Sequence, residues 1–418
     1  MSRWSSFKES VFNQTMVVTF FMGFSGGLPF LLKGQTLSAW LTDLNVDRSS
    51  IGLFAIVGLP YTLKFLWAPL MDRYAPFQFL GRRRSWLVLS QLGVIFTLVL
   101  LSFSDPQNHL VTVAFFAFLV SFFGASQDIV IDAYRRETLT DQQLGLGSSL
   151  YMNGYRAANY FSSAIALLIA GAVSWKAAYL VMAGTMLICL LISLKTKEPL
   201  VHSQPTTLRE AVVEPFVEYF KRKGAFTILA FILFYKLGDA MASQMTTNFL
   251  LSKTVGLGFS KAEYVGIVKT FGLVGLFGGA LIGGSVMVKI GINKALWIFG
   301  FLQMISTAGF SLLAEVGKSL PLLTGVITFE FSAMGMGSAA FMAFMASLTN
   351  KKFTATQYAL LTSLMGVPQV IFSAPTGYLA EQLGWTQFYL FCTFIALIGI
   401  FLLFKVAPWG ENPTLSKS

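Results

Sequence analysis

The chain has 418 residues, of which 55% are hydrophobic and only 12% charged, with 41 phenylalanines and a mean hydropathy of +0.67. That balance excludes a water-soluble globular domain, because most of such a chain must sit in lipid. The net charge of +11 reads as a topology signal and not as a nucleic-acid footprint, since the basic residues gather in the breaks between apolar blocks.

A helix crossing the roughly 30 Å hydrocarbon core needs about 20 mostly apolar residues. Windows of that length predict an all-α membrane protein of twelve spans, over 15–42, 50–72, 85–104, 110–134, 144–173, 176–194, 225–251, 262–288, 293–314, 319–349, 355–383 and 386–406. The N-terminal stretch MSRWSSFKESVFNQ offers no small-residue cleavage site and is expected to be retained. Arg73 and Arg82 to Arg84, Arg135 and Arg136, the basic residues of 195–223, Lys289 and Lys294, and Lys351 and Lys352 fall in alternate breaks. Arg48, Lys176, Lys253, Lys261 and Lys318 fall in the others. The asymmetry predicts that both termini are cytoplasmic. Cys189 and Cys392 both sit in apolar spans and supply neither a disulfide framework nor metal spacing.

Six spans, a polar break of about thirty residues and six more spans resemble the arrangement of the major facilitator superfamily. The expected division is a half over 1–194, a cytoplasmic linker over 195–224 and a half over 225–418. Within the linker, Thr206 to Lys223 alternates apolar and charged residues and ends in a basic cluster. It reads either as an amphipathic helix on the inner leaflet, kinked at Pro215, or as a linker whose charges merely solvate it.

If each half is two three-helix units, spans 1, 4, 7 and 10 line a central cavity. All four carry ionisable residues: Lys33, then Asp128 and Asp132, then Lys236 and Asp239, then Glu330. Lys64, Arg156 and Lys269 lie in spans 2, 5 and 8. An isolated charge at the bilayer centre costs roughly 2.5 to 3.5 kcal/mol on insertion scales, so these imply paired or water-filled surroundings.

The break after span 2 reads Trp67-Ala-Pro-Leu-Met-Asp72-Arg73 and then Gly81-Arg82-Arg83-Arg84. It resembles the superfamily's signature loop, with about seven extra residues between Asp-Arg and Gly-Arg-Arg. Asp72, Arg73, Arg82, Arg83 and Arg84, with Asp132, Arg135 and Arg136 at the end of span 4, are gating candidates; the arginines alternatively signal topology alone, and Asp132 alternatively forms a structural salt bridge.

Four local sequences are more specific: Gly23-Phe-Ser-Gly-Gly-Leu-Pro29, Ala39-Trp40-Leu41-Thr42-Asp43, Gly58-Leu-Pro60-Tyr-Thr-Leu-Lys64-Phe-Leu-Trp67-Ala-Pro69 and Gln127-Asp128-Ile-Val-Ile-Asp132-Ala-Tyr134-Arg135-Arg136. Together they resemble the AmpG muropeptide permeases, closely through the N-terminal half and by length and helix count in the C-terminal half. The resemblance implies import of 1,6-anhydro-muropeptides from periplasm to cytoplasm, driven by protons, for cell-wall recycling. It implies no cofactor; charge and motif give no sign of an obligate partner, and a monomer is expected.

Such a cargo is bulky, rich in hydroxyl and acetamido groups and anionic through peptide carboxylates. It demands hydrogen-bonding side chains, aromatic faces and one or two cations. Gln35, Tyr61, Gln127, Tyr151, Asn153, Tyr155, Asn159, Gln244, Asn248 and Gln369 can supply the first two, and Lys33, Lys64, Arg156, Lys236 and Lys269 the third. Any one such polar residue more often serves as an interhelical hydrogen bond. Coupling needs a carboxyl group whose affinity for protons rises as it is desolvated, and Asp128, Glu330 and Asp239 are the candidates. Asp239 can pair with Lys236 three residues before it, whereas Glu330 has no charge near it in sequence. Pro29 and Pro368, deep in spans and beside glycines, are hinge candidates.

A polytopic enzyme is the reading from another class. It would need a nucleophile with a base or a metal cluster, and the two histidines, His109 and His202, sit in a loop edge and the linker without such company. Among transporters, a carrier of another large anion such as acetyl-CoA, or a transport-inactive sensor with the same fold, remains open.

Overall fold

The structure, a computed structural model, describes residues 13–44, 46, 54–200, 205–366, 372 and 375–410. The first span forms α1 (Gln14–Leu32) and α2 (Gln35–Asp43), broken at Lys33 and Gly34. The second is a chain of short pieces: a 3-10 turn over Phe54–Gly58, α3 (Leu59–Leu63), a 3-10 turn over Lys64–Leu66 and α4 (Ala68–Arg73). Pro60 and Pro69 lie in the first turns of α3 and α4, where a proline's missing N–H costs least. Next come α5 (Arg82–Ser102), α6 (Leu110–Thr138), then α7 (Leu144–Tyr160) joined through a π-helical segment, Phe161–Ile165, to α8 (Ala166–Ala172), and α9 (Trp175–Lys195).

The linker holds α10 (Leu208–Val212), opened by a capping box between Thr207 and Glu210, and α11 (Glu214–Lys221). Where the sequence predicts a kink at Pro215, the chain ends one helix at Val212 and starts another at Glu214, because a proline ring clashes with the carbonyl four residues earlier. Leu208, Val212, Val213, Val217 and Phe220 are exposed along this segment.

The C-terminal half contains α12 (Ala225–Phe234) and α13 (Leu237–Leu251), then α14 (Lys261–Tyr264) running through a π-helical segment, Val265–Phe271, into α15 (Gly272–Ile290). It continues with α16 (Ile292–Val316), α17 (Leu320–Ser347), α18 (Thr354–Met365) and α19 (Thr376–Val406). Gly384, at φ 73°, breaks α19 into the end of the eleventh span and the whole of the twelfth. Among the described residues nine helices are long and apolar enough to cross a bilayer. The other three expected spans, 50–72, 144–173 and 355–383, are present in pieces, interrupted by prolines, by a π segment and by residues outside the description. Pro368 and Gln369 fall among the latter, as do Arg48 and His202.

The helices form two compact units, one of Met1–Thr140, Leu150–Val217 and Thr349–Ser363, the other of Asp141–Ser149, Glu218–Leu348 and Leu364–Ser418. In the first, α6 packs on α5, α1 and α3, and α9 on α5 and α1. Leu28, Leu32, Val94, Leu98, Val120 and Met182 are part of a fully buried apolar core. Backbone meets backbone between α1 and α7: a Cβ on Gly23 would lie 2.0 Å from the Tyr151 carbonyl oxygen, and one on Gly154 2.0 Å from that of Phe20. In the second unit α17 packs on α15 and α16, and α19 on α16 and α13, around Phe249, Phe310, Leu323, Ile327 and Phe388.

Candidate transport site

In the first unit, helical spacing puts Asp128, Asp132 and Arg135 on one face of α6. Lys64, in the 3-10 turn after α3, reaches that face. Its buried ammonium bonds Asp128 Oδ2 and lies 4.0 Å from Asp132 Oδ2. The Tyr151 hydroxyl donates to Asp128 Oδ1 at 3.1 Å. Arg135 closes the ring: Nη2 is 3.3 Å from Asp132 Oδ1, donates to the Tyr358 hydroxyl at 2.5 Å, and the guanidinium sits 4.5 Å over the Tyr151 ring. Two carboxylates thus meet two cations in surroundings where any one alone would be costly. Arg136, the next residue on α6, is also buried.

Asp72, fully buried at the end of α4, organises a second set of contacts. Arg83 Nη2 donates to Asp72 Oδ1 at 2.8 Å, and the Arg82 guanidinium bonds the Asp72 carbonyl. Despite the extra residues in this loop, the 3-10 turn Gln78–Leu80 and Gly81, at φ 82°, return the chain so that both arginines reach Asp72. Asp72 also accepts the amides of Ala355 at 3.1 Å and Thr356 at 2.9 Å, and the Thr356 hydroxyl at 2.7 Å. A carboxylate at the first turn of α18 satisfies orphan donors and the positive end of the helix dipole. Glu137 binds Arg83 at 2.5 and 3.0 Å, and Glu198 accepts the amides of Arg83 and Arg84 at 2.7 and 2.9 Å. Arg84 itself donates to the Leu194 carbonyl at 2.5 Å, and Arg73 stacks on Tyr74 at 5.0 Å. Glu137, Glu198 and Tyr358 escape the sequence reading, because nothing local to them signals the distant partner each one meets.

Beside the Asp128 network lies an aromatic group. Phe30 meets Tyr61 edge-on at 5.3 Å and Tyr155 at 6.0 Å, and Tyr155 lies 6.3 Å from Tyr151. The half-buried Lys33 ammonium is 4.9 Å from the Phe30 ring centroid and 4.7 Å from that of Tyr61. Gln127 donates to Ser25 at 2.9 Å, while its Oε1, the Tyr61 hydroxyl and Asn159 Oδ1 are buried with no hydrogen-bond partner. Asn153 is buried, Arg156 half-buried and Gln35 exposed at the start of α2. Aromatic faces, unmet polar atoms and a cation are therefore on hand together.

In the second unit, Lys236, between α12 and α13, donates to Gln303 Oε1 at 2.8 Å and lies 4.0 Å from Asp239 Oδ2. Glu330 on α17 is buried, with Ser306 Oγ 2.5 Å from its Oε2 and Thr307 Oγ1 3.5 Å from its Oε1, and Asp239 adjoins it. The carboxylate without a neighbour in sequence thus acquires the Lys236 and Asp239 pair in space. Gln244 and Asn248 are exposed along α13, and Lys269 is exposed within the π segment Val265–Phe271.

Residues 14–373 match the family model described as Major Facilitator Superfamily. The chain is 41% identical over 385 residues to the anhydromuropeptide permease of Escherichia coli K12, covering 91% of this chain and 77% of that one. It is 31% identical over 394 residues to a putative transporter AmpG 4 of Rickettsia felis, covering 92% and 94%. The proton:xylose symporter XylE, bound to 6-bromo-6-deoxy-D-glucose, shares the fold at a TM-score of 0.69 and 12% identity, over 97% of this chain and 96% of that one. Agreement of this extent reaches beyond the fold: the chain belongs to the AmpG-type permeases of the major facilitator superfamily and is a multi-pass membrane transporter, not an enzyme.

Proposed function

We propose that this transporter imports 1,6-anhydro-muropeptides across the bacterial inner membrane, from periplasm to cytoplasm, in symport with protons. The observation that carries the cargo is the 41% identity to a permease named for it, supported by the aromatic group with unmet polar atoms around Lys33, Tyr61, Gln127 and Asn159. Sugars present apolar ring faces and many hydroxyls, which aromatic side chains and amides match. Tyr151, Tyr155, Asn153, Arg156 and Gln35 belong to the same proposed surface. Gln244, Asn248, Lys236, Lys269 and Gln369 are its proposed counterparts in the C-terminal half, with the linker over 195–224 between the halves. Lys64 is better explained as the partner of Asp128 than as a free cation for cargo.

Both termini are assigned to the cytoplasm from the basic breaks, and a monomer suffices. The Asp72 contacts with the first turn of α18 support a latch that holds one conformation of the cycle, with Arg82 and Arg83 positioning the carboxylate. Arg135, bonded to Tyr358 on the same helix, ties Asp132 to that turn. Arg73, Arg84 and Arg136 contribute to the loop's charge and packing. One proton moving through 100 mV releases about 2.3 kcal/mol, enough for roughly fifty-fold accumulation of a neutral cargo.

The test is uptake of labelled N-acetylglucosaminyl-1,6-anhydro-N-acetylmuramic acid into proteoliposomes, with and without an inward proton gradient. Accumulation that depends on the gradient is expected. Uptake of acetyl-CoA without uptake of the disaccharide overturns the cargo, and equal uptake with and without the gradient overturns the symport.

A further inference from the structure

The two buried charge clusters differ in a way that bears on where a proton resides. Asp128 accepts from the Lys64 ammonium and the Tyr151 hydroxyl, and Asp132, which shares Lys64, meets the Arg135 guanidinium. Among the described residues two carboxylates therefore face two cations, and their charges balance. Around Glu330 the balance fails. Among the described residues Asp239 and Glu330 face one cation, Lys236, which is 4.0 Å from Asp239 and also donates to the Gln303 amide oxygen at 2.8 Å. The other neighbours, Ser306, Thr307 and Gln303 on α16 and Tyr389 on α19, carry no charge at neutral pH. With both acids ionised this cluster, in which Glu330 is buried and Asp239 and Lys236 are half-buried, would hold an excess negative charge, which an apolar interior disfavours.

The hydroxyl geometry has room for that proton. Ser306 Oγ has one hydrogen and two oxygen neighbours, the Gln303 carbonyl at 2.9 Å and Glu330 Oε2 at 2.5 Å. A backbone carbonyl can only accept, so if Ser306 donates to it the second contact needs its hydrogen from the carboxyl. Thr307 faces the same choice more loosely, with the same carbonyl at 3.0 Å and Glu330 Oε1 at 3.5 Å. Beside them Gln303, itself 6% exposed, leaves Nε2 without a partner, and Asp239 Oδ1 is buried without one.

We infer that the transported proton is carried by the Glu330 and Asp239 carboxyl pair, and that Asp128 stays an ion-paired carboxylate which holds the first unit together. In the loaded state Glu330 keeps the proton as a neutral acid that donates to Ser306. On release the O–H bond breaks, the proton passes to water, and the cluster gains one negative charge that draws the Lys236 ammonium, with its three donors, towards the carboxylates. The inference rests on the proposed proton symport and adds its location.

The test is infrared difference spectroscopy of the purified transporter in lipid at neutral pH, reading the C=O stretch of a protonated carboxylic acid. That band is expected in the wild type, lost in Glu330→Gln or in Asp239→Asn, and retained in Asp128→Asn. Its absence from the wild type overturns the inference without reference to any variant, as does its loss in Asp128→Asn alone. Proteoliposome assays separate this from the symport itself. Glu330→Gln, which mimics the neutral acid, is expected to lose accumulation under a proton gradient while still exchanging labelled for unlabelled disaccharide. A Glu330→Gln protein that still accumulates refutes the location, whereas a wild type that exchanges but never accumulates refutes the symport.

Discussion

Asp72 and Thr356 are joined twice: one carboxylate oxygen, Oδ2, accepts both the backbone amide of Thr356 at 2.9 Å and its hydroxyl at 2.7 Å. The same carboxylate holds Arg83 through Oδ1. One buried side chain therefore fixes the loop after the second span and the first turn of the eleventh.

Removing that carboxylate leaves Arg83 with Glu137 and the Met71 carbonyl, and two amides of α18 without the acceptor they have now. Breaking a buried ion pair by deleting one partner costs about 3 to 5 kcal/mol, whereas losing a single hydrogen bond to a charged group costs about 1.5 to 3. Asp72→Ala is expected to lower the thermal midpoint of the detergent-solubilised protein more than Thr356→Val does. Uptake should fall with Asp72→Ala by roughly tenfold or more, the factor that about 1.4 kcal/mol places on a two-state equilibrium. Equal midpoints for the two variants would refute the dominant role of the carboxylate.

The approach of α1 to α7 gives a second expectation. Alanine at Gly23 puts a Cβ 2.0 Å from the Tyr151 carbonyl oxygen, and backbone cannot swing aside as a side chain can. Overpacking of this kind costs about 1 to 3 kcal/mol, and it displaces Tyr151, which bonds Asp128. Gly23→Ala is expected to lower both stability and uptake. Gly171→Ala, where a Cβ meets nothing within 4 Å, should leave both unchanged and serves as the control. Thermal unfolding followed by intrinsic fluorescence checks the pair.

The fold was legible in the sequence because lipid imposes length and hydropathy on every span, and lipid acts locally. Asp132 with Arg135 was legible for the same reason, being three residues apart on one helix. Glu330 was legible only as an isolated carboxyl, since Asp239, Lys236, Gln303 and Ser306 reach it from other helices. Tyr358 was invisible: a tyrosine in an apolar run carries no mark of the arginine it meets. Short pieces such as α3 and α4 read as one span because hydropathy averages across the prolines that interrupt them.

The linker supplies a pH dependence outside the membrane. The Lys352 ammonium and the Thr206 hydroxyl and amide all donate to Glu210, holding its carboxyl down to about 2. A depressed carboxyl stabilises its contact fully above the unfolded value, about 4.3, and the contribution fades as pH falls towards 2. Limited proteolysis between α9 and α12 is therefore expected to be slow at pH 7 and to accelerate as pH drops below about 4. Glu210→Gln should abolish that acceleration by making cleavage fast throughout. Because the pair is partly exposed, raising salt should mimic part of the effect.

Lys64 and Asp128 should behave as a unit. Lys64→Met leaves Asp128 and Asp132 in one buried site with Arg135 as their remaining cation, while Asp128→Asn leaves Lys64 within 4.0 Å of Asp132. The lysine variant removes the charge that two acids share and is expected to be the more damaging of the two. Combining them restores the match of one acid to one cation, so the double variant should be more stable than the sum of the single losses, with a coupling of about 0.5 to 3 kcal/mol. Thermal midpoints of the four proteins in one detergent measure it. Strict additivity would mean that the two side chains do not interact in the folded protein, and the neutral ring around Asp128 would have to be abandoned along with its contrast to Glu330.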